Sequence, residues 1–66
     1  MKADNIEYDI ITTLQNKLEG ISAYDKYMTD CDRAEAGDCK KLFQMIKNDD
    51  ERHVEELRKV LKQLLG

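Results

Sequence analysis

Sixty-six residues make a single domain, and a core of that size stabilises a chain by only about 3–5 kcal/mol, leaving a shortfall for disulfides, a metal or oligomerisation to fill. Charged residues make up 38% and apolar ones 41%, the formal charge is −3, and Lys and Arg are interleaved with Asp and Glu. That distribution excludes the basic footprint of a nucleic-acid binder. No apolar run approaches a membrane span, and the opening Met1-Lys2-Ala3-Asp4-Asn5 leads into no signal-peptide core, so a cytoplasmic protein with no membrane partner is expected.

The first predicted element is a helix over about residues 5–35. Asp4 and Glu7 have the spacing of a capping box, in which each side chain satisfies a backbone donor of the other's turn. Apolar residues then recur at Ile11, Leu14, Leu18, Ile21 and Met28, widened by Ile6 and Ile10, with the alternating three-four spacing of a helix that packs along a seam. Gly20 falls inside this helix, where glycine costs about 1 kcal/mol relative to alanine.

A break follows at Arg33-Ala34-Glu35-Ala36-Gly37-Asp38. Gly37 suits the left-handed position beyond a helix end, and Asp38 suits the N-cap of the next helix, so the turn is expected at 36–38. A second helix over about 39–65 reads Phe43, Ile46, Asp50, His53, Leu57, Val60, Leu64, flanked by Leu42, Met45 and Leu61. So short a connection makes the helices antiparallel neighbours. The fold class is therefore all-α, an antiparallel two-helix hairpin spanning residues 1–66. Each apolar stripe is wider than one partner helix covers, which predicts that two hairpins pair as a homodimeric four-helix bundle.

One level of the seam is polar. Asp50 and His53 occupy apolar positions of the second stripe, and Asp25 does so in the first, between Ile21 and Met28. In a hairpin turning near residue 36, all three fall near one height. Unpaired buried charge is costly, so these groups need each other, water or a metal. A carboxylate and a histidine at i and i+3 can ligate one cation, and two-fold symmetry would double the set. Oxygen and imidazole donors suit iron, manganese or zinc. A structural Asp–His pair that fixes register, and a solvated edge of the seam, are the competing readings.

The second helix also resembles a family. Leu42-Phe43-x-x-Ile46-x-x-x-Asp50-Glu51-Arg52-His53, followed by Glu55-Glu56-Leu57, is similar to the second helix of ferritin-like proteins of the rubrerythrin type, where Leu-Phe precedes Glu-x-x-His. Ala23-Tyr24-Asp25-Lys26-Tyr27 is similar to the tyrosine-bearing part of that family's first helix. Encapsulated ferritins, whose chains are helical hairpins with the di-iron site between two of them, match the architecture best. The resemblance implies iron binding and oxidation between hairpins, with an encapsulating or redox partner. Two positions depart from the pattern: the ligand glutamate of the second helix is Asp50, and that of the first falls on Lys17 or Gly20. Glu19 lies beside Gly20 but is turned by about 100° on the helix. The candidate metal ligands are thus Asp50, His53, Asp25 and Glu19.

Cys31 and Cys39 flank the turn and read as two reduced, half-buried thiols more readily than as a disulfide, and by themselves they lack two ligands of a zinc site. Tyr24 and Tyr27 read as packing residues. Two function classes result: a ferritin-like metal-binding protein, and a helical homodimerisation module without metal.

Overall fold

The computed structural model describes residues 2–66, with side chains from Asn5 onward. It holds two helices, α1 over Lys2–Arg33 and α2 over Gly37–Leu65, packed against each other as a hairpin. Because α1 begins at Lys2, the chain is already helical at Asp4, whose side chain lies outside the described residues; the Asp4–Glu7 capping pair lies there with it.

The turn is tighter than the sequence suggests. Ala36 N–H donates to the Cys31 carbonyl at 2.9 Å and Glu35 N–H to the Asp32 carbonyl at 3.2 Å. These two bonds close the end of α1 by the paired arrangement that requires a left-handed residue just past the helix cap. That residue is Glu35, with φ 53°, and not Gly37, which is the first residue of α2. The N-cap of α2 is Ala36, which has no side-chain acceptor, and Asp38 sits one step inside the first turn. Aspartate there still meets the positive end of the helix dipole.

The seam takes a different register from the expected one. On α1 the less exposed line is Ile10, Leu14, Lys17, Ile21, Tyr24, Met28 and Cys31. On α2 it is Phe43, Lys47, Asp50, Val54, Leu57 and Leu61. Both follow the three-four alternation of a left-handed pair. They share Leu14, Ile21, Met28, Phe43, Asp50 and Leu57 with the expected stripes, while the alternate positions are shifted by one residue. Ile11, Leu18, Asp25, His53, Val60 and Leu64 are consequently exposed, and Ile46 is only half-buried. The physical reason is charge. The expected register would bury Asp25 and Asp50 at one level without a counter-ion, whereas this one sets Lys17 against Asp50 and leaves Asp25 to pair with Lys47 at the edge.

Little is sealed from water. Met28, Cys31 and Val54 are the buried apolar residues among those described, and no large side chain is fully enclosed. The hairpin is a rod of 50 × 14 × 13 Å with a radius of gyration of 15.2 Å. A compact chain of this length would have a radius of about 11 Å. Among the described residues, no helix is long and apolar enough to cross a membrane.

Candidate functional site

The polar level of the seam is built around Asp50, held in the middle of α2 with its side chain 13% exposed. Helical spacing places it between Phe43 and Leu57 on the face turned to α1. Lys17 Nζ donates to Asp50 Oδ1 at 3.0 Å, so the ammonium supplies the charge that lets the carboxylate stay buried. Tyr24 lies two turns along the same face of α1. Burial first, then the nearby Asp50 carboxylate, push the Tyr24 phenol above its ordinary value, against a smaller opposing effect of Lys17.

His53 follows Asp50 by one turn, and its Nδ1 lies 3.8 Å from Asp50 Oδ1 with the imidazole half in solvent. That separation is too long for a direct hydrogen bond. Asp25 points off the seam: its carboxylate is 62% exposed and accepts from Lys47 Nζ at 2.8 Å. This bond, more than any other influence, holds the Lys47 ammonium above the usual lysine value. Glu19 is exposed on α1.

The structure therefore brings Asp50 and His53 near each other and joins neither Asp25 nor Glu19 to them. Among the described residues, no three His, Cys, Asp or Glu side chains gather in a way that could hold a metal ion. Within one hairpin the donor set does not fit the iron, manganese or zinc centre that the family resemblance implies. Asp50 Oδ1, the oxygen 3.8 Å from His53 Nδ1, already accepts from the Lys17 ammonium.

Lys17 is the residue that sequence reasoning passed over as a ligand gap. A signal for it existed: Ile10, Leu14, Lys17, Ile21, Tyr24 and Met28 keep the heptad spacing unbroken, and a lysine on that line is the complement of an aspartate on the facing one. Above this level, Tyr24, Tyr27 and Phe43 form an aromatic cluster with ring centroids 5.4–6.1 Å apart. Such contacts add to the area they bury by preferring tilted geometry.

At the turn, Cys31 and Cys39 are both free thiols, Cys31 buried and Cys39 exposed. Burial, then the neighbouring Cys39 and the carboxylates of Asp30 and Asp32, push the Cys31 thiol up, against a smaller opposing effect of Lys40. The two cysteines line one apolar depression of about 350 Å³ together with Tyr27, Ala34 and Phe43.

The site and fold define a helical hairpin with a lysine-neutralised aspartate in its seam. Comparison with protein-family models, with curated proteins and with solved structures gives no match.

Proposed function

We propose that the chain is a self-associating helical module: two hairpins close face to face into a four-helix bundle, and that bundle is the functional unit. The observation that carries this reading is unspent surface. The hairpin exposes 5194 Å². A compact monomer of this mass would expose about 4,300 Å², so roughly 900 Å² is in excess. A standard protein–protein interface takes about 800 Å² from each partner. Tyr27, Leu42, Val60 and Leu64 are among the large apolar side chains left in solvent. Sedimentation equilibrium over micromolar concentrations tests the reading. A two-chain species is expected, and a fully helical monomer throughout would overturn it.

A ferritin-like metal centre between hairpins is the second reading, favoured by the exposed imidazole of His53 beside Asp50. It requires Asp50 to turn an oxygen to a cation in competition with the Lys17 ammonium. Calorimetric titration with iron(II), manganese(II) and zinc(II) decides between the two. Binding by the native chain that is lost in His53→Ala supports the metal reading, and equal or absent binding leaves the module.

A further inference from the structure

Resting on the self-association reading, we infer that the second copy docks on one particular long face of the hairpin, the face that carries Tyr27, Ile46 and Val60, and that the opposite face stays in water. The two faces differ in kind. On either side of the seam, each helix presents one further row of residues at heptad spacing.

One side is charged. There α1 presents Ile11, Leu18, Asp25 and Asp32, and α2 presents Gln44, Glu51, Arg58 and Leu65, so that the middle of this side is charged and apolar side chains stand at the end away from the turn. The ion pairs Lys47–Asp25 and Lys40–Asp32, each 2.8 Å, bridge the helices along this side. Leu18 lies in a depression walled by Glu51, Glu55 and Arg58. A partner seated here would have to strip water from these groups, and burying ion pairs returns little or nothing for that cost.

On the other side α1 presents Ile6, Thr13, Gly20 and Tyr27. The facing row on α2 is Cys39, Ile46, His53 and Val60. Neither row contains an aspartate, glutamate, lysine or arginine. Tyr27 and Cys39 line the same apolar depression, which places the two rows on one face. Thr13 Oγ1 donates to the Asp9 carbonyl at 2.8 Å, so its donor is used within its own helix and the methyl group is left for contact. At Gly20 an added Cβ would meet only Tyr24 Oη at 3.9 Å, an ordinary contact, so packing inside the hairpin does not require a glycine there. On a docking face it leaves the α1 backbone low where a partner helix passes.

The dimensions agree as well. A side of 50 by 14 Å offers roughly 700 Å², close to what one partner contributes to a standard interface. A second copy supplies a rod of the same length with the same uncharged rows. Its occupancy would also cover His53, the one histidine of the chain, at the middle of the face.

The test compares charge insertions on the two faces by sedimentation equilibrium. Val60→Glu and Ile46→Glu should weaken association by at least about tenfold, as removal of a central interface contact does. Leu18→Glu and Ile11→Glu should leave it within about threefold, as rim or surface changes do. A second measurement uses the native chain and no substitution: the rate at which a small disulfide reagent modifies the exposed Cys39 thiol. That rate should fall as concentration rises through the association range. A Cys39 rate that stays constant while dimers form, or dissociation caused by Leu18→Glu and not by Val60→Glu, would overturn the assignment of the face and leave self-association standing. A native chain that never dimerises would overturn the reading on which it rests.

Discussion

Lys17 and Asp50 decide how the two helices meet. An aspartate with its side chain 13% exposed would be expensive alone, and the 3.0 Å contact with a lysine that is itself about one-third exposed makes it tolerable. Such a pair fixes register more than it adds stability, because desolvation consumes most of the attraction. Lys17→Ala is expected to destabilise the hairpin by about 1–3 kcal/mol, since it leaves a buried acceptor short of its donor. The double variant Lys17→Leu/Asp50→Leu should recover most or all of that loss, as well-packed apolar replacements of buried pairs do. Urea denaturation of the three chains is the measurement. A double variant as unstable as Lys17→Ala would show that the pair contributes net stability.

At the scale of the elements, the helices and their antiparallel pairing are legible in the sequence, because three-four spacing survives in any register and the break between Arg33 and Asp38 is unambiguous. The rotation of each helix was not legible from apolar spacing alone. On α1 the lines through Ile11 and Leu18 and through Ile10 and Lys17 share Leu14, Ile21 and Met28, so hydrophobicity barely separates them. Cross-helix charge does separate them, and that is why Asp25 and His53 lie outside the seam that the sequence reading placed them in. The turn differs from expectation for a related reason. Gly37 is the permissive residue of the break, yet the hydrogen bonds of Glu35 and Ala36 put the left-handed conformation two residues earlier. An L-residue other than glycine in that conformation costs about 1–2 kcal/mol. Glu35→Gly should therefore stabilise the chain by about 0.5–1 kcal/mol, after allowing for the greater freedom of glycine in the unfolded chain. A rise in the urea midpoint at unchanged slope would show it, and a fall would mean that the Glu35 side chain makes a contribution larger than the strain.

For the whole molecule, the small core and the large surface have one common consequence. Met28, Cys31 and Val54 are the only apolar residues buried among those described, and at roughly 25 cal/mol per Å² such a core cannot by itself offset the entropy of ordering two long helices. Burial of a further side face by a second copy would supply the difference, so folding and association should be parts of one equilibrium. Two chains that fold only as they pair have a stability set by mass action, and their melting temperature must rise with total concentration. Circular dichroism melts across a hundredfold concentration series, roughly from micromolar upward, should show this shift, and helix content should fall together with the dimer on dilution. Val60→Glu should lower the melting temperature most where the native chain is dimeric and least where it is dilute. A melting temperature independent of concentration would mean that the hairpin folds alone, with its uncharged face open to water, and would remove the energetic reason for a partner.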